Sequence, residues 1–396
     1  MELIGRFFRV PGRSCFVFGP RGTGKSTWLR ERIPDALFVD LLEPSTHRSL
    51  SARPERLREL LAGARGRETV VIDEVQRVPE LLTVVHAIME EPSPPRFILM
   101  GSSARKLRRG GVDLLGGRAV QRTLHPFMAA ELPEFDLQRA LRFGLVPLVV
   151  GASDPAEVLA GYASLYLDQE VRAEGLTRNV GAFTRFLEAI SFSHGAQLNV
   201  SAVARECEVE RKVVAGYVGI LEDLLLAFRL PVFRKRAKRA TATHDKLYLF
   251  DAGVFRSLRP KGPLDRPEEI DGQALEGLVA QHLRAWAAYS GHGVDLFFWR
   301  TRAGAEVDFV VYGETGVRAF EVKNAARVHS ADLRSLRAFR DDYPEAETAV
   351  LYRGRERLRI DGVWCLPVED FLRGMVPEQG LLDWLTGGVG QAITFP

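Results

Sequence analysis

The chain has 396 residues, of which 46% are hydrophobic and 27% charged, with a formal net charge of +3. These values exclude a mainly disordered chain and point to two or three folded domains. A near-balanced charge also excludes reading a polyanion partner from the total; only a local patch can argue for one.

Three cysteines, Cys15, Cys207 and Cys365, stand far apart without a C-x-x-C pairing. Free thiols in a reducing, cytoplasmic setting are expected. The N-terminus lacks a signal-peptide core and no apolar run is long enough to span a bilayer, so no membrane partner is expected. The eight histidines show no zinc-ligand spacing.

Residues 1–155 alternate short apolar runs with charged, helix-prone stretches. The runs are Cys15–Phe18, Leu37–Val39, Thr69–Ile72, Phe97–Met100 and Arg118–Leu124. Runs of this length read as buried parallel strands with crossover helices, an α/β fold. After the first run comes Gly19-Pro20-Arg21-Gly22-Thr23-Gly24-Lys25-Ser26-Thr27, which fits the phosphate-binding pattern G-x-x-x-x-G-K-[ST]. Glycines let backbone N–H groups turn onto phosphate oxygens, and the following helix presents its positive end to them. Lys25 is expected to neutralise the β- and γ-phosphates of ATP, and the Ser26 hydroxyl to ligate Mg²⁺. The third run ends in Asp73-Glu74: Asp73 as a second metal-holding group, Glu74 to polarise the attacking water. Ser102 and Ser103, after the fourth run, are polar residues within reach of the γ-phosphate or that water, or else a simple loop.

The five strands and the Asp73-Glu74 pair resemble the AAA+ branch of P-loop ATPases. That resemblance implies an arginine serving a neighbouring subunit's γ-phosphate, assigned to Arg118 in Leu115-Gly-Gly-Arg118, and a homo-oligomeric, hexameric ring. A surface arginine at the start of a strand is the alternative for Arg118.

Residues 156–258 are helical through Leu226. Two short amphipathic helices joined at Glu208–Arg211, then two strands, suggest a winged helix-turn-helix. The basic run Arg234, Lys235, Arg236, Lys238 and Arg239 falls in the expected wing. With Arg205, Arg211 and Lys212 it can contact the backbone of duplex or branched DNA, or form a solvated loop.

A Pro- and Gly-rich linker at 259–267 precedes residues 268–375, read as helix, three strands, helix, strand. The tail, 376–396, has no assigned role. Asp308 and Glu321 lie on consecutive expected strands, with Lys323 on the same face as Glu321. Two carboxylates can hold a second divalent metal, Mg²⁺ or Mn²⁺, and the lysine can orient water for phosphodiester hydrolysis. Glu276 on the preceding helix adds an acid. This set resembles the PD-(D/E)XK nuclease fold, although Val307 replaces its proline.

The combination of Gly-Pro-Arg-Gly-Thr-Gly-Lys-Ser-Thr, Ile-Asp-Glu-Val-Gln76, Gly-Ser-Ser, Leu-Gly-Gly-Arg, Lys246-Leu-Tyr-Leu-Phe-Asp251-Ala-Gly253 and Glu306-Val-Asp-Phe…Phe320-Glu-Val-Lys resembles a prokaryotic family of AAA+ ATPases with a C-terminal PD-(D/E)XK-like module. The resemblance implies ATPase activity and a DNA- or defence-related role. Three readings follow: an ATP-driven DNA-processing protein that binds, remodels or cuts DNA; a nucleotide-dependent signalling or scaffold switch with a silent nuclease-like fold; and a branch-migration motor without cleavage.

Overall fold

The computed structural model describes residues 4–64, 66–102, 115–166, 180–235, 239, 241, 243–263 and 265–385. Two compact units emerge, one built on Phe8–His125 with Glu222–Leu225, the other on Ile4–Phe7, Pro126–Leu221 and Leu226–Pro396.

In the first unit the apolar runs form β1 (Cys15–Phe18), β2 (Leu37–Asp40), β3 (Thr69–Asp73), β4 (Arg96–Gly101) and β5 (Val120–Thr123). Their order is β2-β3-β4-β1-β5, with every neighbouring pair parallel. Helices α1 (Lys25–Arg32), α2 (Pro44–Ala52), α3 (Arg56–Gly63) and α4 (Leu81–Met89) make the connections. Side chains on both faces are buried: Phe16, Phe18, Val70, Ile72, Phe97 and Leu99 share a core with Leu81, Leu82, Val85 and Ile88 of α4, while Cys15, Val17, Val71, Ile98 and Met100 are buried on the alternate positions. Burial on both faces is why these strands lack polar alternation. The parallel α/β expectation holds here. Because β4 lies between β1 and β3, the loop after β1 and the tip of β3 flank the tip of β4.

The second unit begins with α5 (Leu137–Phe143) and α6 (Val180–Ser191), with short helical segments between them. Then come β6 (Ala196–Gln197), α7 (Val200–Glu206), α8 (Arg211–Asp223), β7 (Ala227–Leu230) and β8 (Lys246–Leu249). Asn199 caps α7 by accepting from the Ala202 N–H at 3.1 Å, and Glu208, at φ 55°, makes the tight turn into α8. The three strands form an antiparallel sheet in the order β6-β8-β7.

The basic run falls between β7 and β8, and the segment just ahead of it is anchored. Just before it, the Phe233 N–H donates to the Phe298 carbonyl at 2.7 Å, and the Phe298 N–H donates to the Pro231 carbonyl at 3.0 Å. Phe233 is buried against Phe297, Tyr312, Phe339 and Tyr343. Lys235 Nζ lies 3.9 Å from the Tyr312 ring centre, and Arg239 Nε pairs with Asp342 at 3.1 Å. Arg236 and Lys238 lie outside the described residues. An aromatic residue ahead of the charges anchors the segment, because burying it removes a large apolar surface from water.

After α9 (Ala252–Leu258), the helix α10 (Pro267–Ser290) leads into β9 (Asp295–Arg300), β10 (Glu306–Gly313) and β11 (Gly316–Lys323). Then follow α11 (Arg334–Asp342), β12 (Glu347–Tyr352), β13 (Leu358–Ile360), β14 (Val363–Pro367) and α12 (Val368–Arg373). The sheet order is β13-β14-β12-β11-β10-β9. The helix–three strands–helix–strand expectation holds, with β13, β14 and α12 added. Among the described residues, no helix is long and apolar enough to cross a membrane. Cys15, Cys207 and Cys365 are free and buried.

Two buried histidines tie the second unit together. His282 Nδ1 donates to the Leu278 carbonyl at 2.7 Å, and its Nε2 accepts from the Ala129 N–H at 2.8 Å. His194 stacks on Phe255 with 4.1 Å between ring centres and accepts from the Leu249 N–H at 3.0 Å. Burial holds both rings neutral, with pKa values pulled from 6.5 down to about 4 for His282 and about 3 for His194. A depressed base stabilises the fold fully above pH 6.5, and that contribution is lost as pH falls through the folded pKa. The melting temperature should therefore drop between pH 6.5 and 4. In His282→Gln, which takes up no proton there, the drop should be shallower; identical slopes by calorimetry would show that this ring contributes nothing.

Candidate active site

At the end of β1 the chain turns through Gly19-Pro20-Arg21-Gly22-Thr23-Gly24 into α1, whose first residue is Lys25. Gly22 and Gly24 both adopt φ 80°, the left-handed region that favours glycine. A Cβ on Gly19 would stand 2.5 Å from the Leu124 carbonyl oxygen. The Thr23 hydroxyl donates to the Pro20 carbonyl at 2.7 Å and locks the turn. Lys25 is buried, and its ammonium donates to the Gly19 and Pro20 carbonyls at 2.6 and 3.1 Å. Arg21 and Thr27 are exposed at the edge of this loop.

Ser26 connects the loop to β3. Its hydroxyl donates to Asp73 Oδ2 at 2.6 Å. Asp73 is 3% exposed, and its other oxygen, Oδ1, has no hydrogen-bond partner among the described residues. Burial pushes the Asp73 pKa up; the Ser26 hydrogen bond and Lys25 oppose this, while Asp40, in register on β2, adds to it. A buried carboxylate with an orphaned oxygen beside a serine hydroxyl fits a hard divalent cation such as Mg²⁺. The loop of glycines, the buried Lys25 and the start of α1 fit the phosphates of a nucleotide.

Glu74 follows β3 in a left-handed conformation, φ 57° and ψ 44°, which turns its side chain away from the strand's alternation. Gln76 Nε2 donates to Glu74 Oε2 and, at 3.2 Å, to the Ser102 hydroxyl. A Cβ on Gly101 would stand 2.3 Å from Gln76 Oε1. Glu74, Gln76 and Ser102 thus form one chain across the tips of β3 and β4. Sequence reasoning gave Gln76 no role; an amide two residues after the acidic pair was the available signal. Ser103 lies outside the described residues. Arg118 precedes β5, which begins beside the start of β1, at the sheet edge away from the phosphate loop. It is exposed, with Nε 2.5 Å from Glu90, so the structure does not bring it to the loop of its own chain.

The second constellation forms around a residue that sequence reasoning left out. Lys246 opens β8 at 2% exposure. Its ammonium lies 3.0 Å from Glu276 of α10, 2.6 Å from Glu306 and 3.2 Å from Asp308 of β10. The Tyr248 hydroxyl donates to Glu276 at 2.6 Å. Asp308 also accepts from the Val322 N–H at 2.8 Å. Lys323 pairs with Glu321 at 2.7 Å, leaving Glu321 Oε2 without a partner among the described residues. Glu276, Asp308, Glu321 and Lys323 are therefore near neighbours, as expected. A charged residue opening a run of buried ones was the signal for Lys246.

Burial lowers the Lys246 pKa, but Glu276, Tyr248, Asp308 and Glu306 raise it by more, leaving it well above its usual value. Burial pushes the Glu276 pKa to about 7 against the opposing pull of Lys246. Burial, then Asp308, holds the Glu321 pKa well above the carboxylate range. The expected second divalent metal does not fit this arrangement. Oxygens of Glu276, Glu306 and Asp308 face Lys246 or a backbone N–H and one oxygen of Glu321 faces Lys323, which leaves Glu321 Oε2 without a partner among the described residues, and no group of three or more acidic, histidine or cysteine residues among the described ones is arranged to hold a metal.

Residues 12–133 match a family profile described as an AAA domain. Residues 134–265 and 271–371 match two described as domains of unknown function, DUF8612 and DUF4143. Two curated mycobacterial chains, the uncharacterized proteins Mb2031c of Mycobacterium bovis and Rv2008c of Mycobacterium tuberculosis, are each 28% identical over 373 residues, spanning 91% of this chain and 81% of theirs. The crystal structure of protein VC1899 from Vibrio cholerae aligns at 10% identity over 94% of this chain and 98% of its own, with a TM-score of 0.23. The parallel sheet, the glycine loop after β1 and the AAA-domain match together support a P-loop ATPase-like domain over residues 12–133.

Proposed function

We propose that this chain hydrolyses Mg-ATP and couples turnover to binding or remodelling of duplex or branched DNA. The observation that carries the reading is the 2.6 Å hydrogen bond from Ser26 to the buried Asp73, whose second oxygen is left without a partner. Gly19 to Gly24 and the N-terminus of α1 would hold the phosphates, and Ser26 and Asp73 the Mg²⁺. When bound, the metal supplies charge neutralisation of the phosphates. Lys25 exchanges its loop carbonyls for phosphate oxygens. Glu74 orients and polarises the attacking water, and Gln76 positions Glu74 relative to Ser102. Arg118 serves the nucleotide of a neighbouring subunit in a ring, hexameric by analogy with AAA+ proteins.

The working division is an ATPase domain over 1–155, a winged helix-turn-helix over 156–258, a PD-(D/E)XK-like domain over 268–375 and a tail over 376–396. The order helix, short strand, two helices and two strands, with the sheet β6-β8-β7, supports the second. Exposed Arg205, Arg211 and Lys212 give its helix pair a backbone-directed DNA contact. Glu276, Asp308, Glu321 and Lys323 on one helix and two adjacent strands support the third. An ammonium among its carboxylates favours a domain that binds without cutting, as in the signalling or scaffold reading.

ATP turnover should rise several-fold with duplex or four-way DNA, with no nicks in the same tubes; turnover indifferent to every DNA would reject the DNA coupling. Lys25→Ala should lower nucleotide affinity by about tenfold or more, and unchanged binding would remove the assigned site. Gly101→Ala places a methyl group on Gln76 and should slow turnover by about tenfold while leaving nucleotide affinity near wild type. Wild-type turnover in that variant would separate Gln76 from the chemistry.

A further inference from the structure

We propose that Lys246 is the resident cation of the C-terminal carboxylate centre: its ammonium takes the place that a divalent metal would occupy in an active nuclease, and the centre is a metal-free joint between β8 and the C-terminal sheet. The inference rests on the nuclease-like reading of that domain and extends it to a commitment about chemistry.

Three observations carry it. Lys246 Nζ is within 3.2 Å of oxygens from Glu276, Glu306 and Asp308, which arrive from a helix and a strand. An ammonium has three donors, and each has a carboxylate to meet. The lysine comes from outside the C-terminal sheet, from a strand paired with β6 and β7. Finally, Lys246 offsets part of a local excess of carboxyls. The carboxyls of Glu276, Glu306, Asp308 and Glu321 face Lys246, Lys323 and Arg300, which pairs with Glu306 at 2.8 Å. Four carboxyls already outnumber these three cations by one, and removing Lys246 widens the excess to two, which one divalent ion would offset.

Lysine withdrawal would require β8 to leave its sheet. The neighbouring Tyr248 is buried and bonded to Glu276, so the strand is fixed at two successive inward positions. Breaking a buried pair by removing one partner leaves an uncompensated charge, so loss of the lysine without a replacement cation should destabilise the unit.

The test is Mn²⁺ binding to the nucleotide-free full chain, followed by electron paramagnetic resonance of free Mn²⁺. Wild type and Asp308→Asn should give the same titration. Lys246→Met should bind one further equivalent, lost again in Lys246→Met/Asp308→Asn, and Mn²⁺ should raise its melting temperature but not that of wild type. Lys246→Arg should retain the wild-type titration. An Asp308-dependent Mn²⁺ in wild type would overturn the proposal, as would a folded Lys246→Met that gains none. If Lys246→Met does not fold, wild type against Asp308→Asn and Glu276→Gln still decides. These readouts do not involve ATP turnover or DNA, so their failure leaves the proposed function standing, and loss of DNA-stimulated turnover leaves them untouched.

Discussion

Lys246 is charged at 2% exposure, and an ammonium so placed costs several kcal/mol unless opposite charges meet it at close range. Three carboxylates do so, and each must come from a defined position on α10 or β10. Satisfying one buried charge therefore fixes the approach of a helix, a strand and the first residue of β8. The same constraint shapes the ATPase domain on a smaller scale. Lys25 is buried and satisfied by two carbonyls of its own loop, while Asp73 is satisfied on one oxygen by Ser26. The two centres resolve the problem differently. Among the described residues both keep one orphaned carboxylate oxygen, on Asp73 and on Glu321, but only the second sets a buried ammonium among its carboxylates.

That contrast separates what each half does. In the proposed function the compensation at Lys25 is temporary: loop carbonyls hold its ammonium until phosphate oxygens replace them. At Lys246 the compensating groups are full charges in a dry setting, where exchange is expensive. The scaffold does not by itself dictate the chemistry of the site.

The sequence was most legible where local pattern and burial agree. The central strands β1, β3 and β4 were visible as short apolar runs, because a parallel strand covered on both faces has no polar alternation to hide it, whereas the edge strand β5, Val-Gln-Arg-Thr, is half exposed. The phosphate loop was legible because its glycines are demanded by backbone conformation at Gly22 and Gly24 and by the close approach of Leu124 to Gly19. Gln76 was missed because its role depends on the strand order: only with β4 beside β3 does an amide after Glu74 reach Ser102. Lys246 was missed for a similar reason. Nothing local to Lys-Leu-Tyr-Leu reveals that Glu276, thirty residues on, and Asp308, sixty-two residues on, converge on it. Phe233 anchors the segment ahead of the basic run, a packing contact that charge density alone does not reveal.

Phe233 and Lys246 bracket the connection between β7 and β8, and both are seated in the C-terminal core. The boundary between the two matched segments, 134–265 and 271–371, is thus crossed by buried contacts. Excising the later segment would strand Glu276, Glu306 and Asp308 as mutually repelling carboxylates and leave an empty aromatic socket beside Tyr343. A fragment cut between these segments would lose both the counter-ion and the anchor of its carboxylate centre.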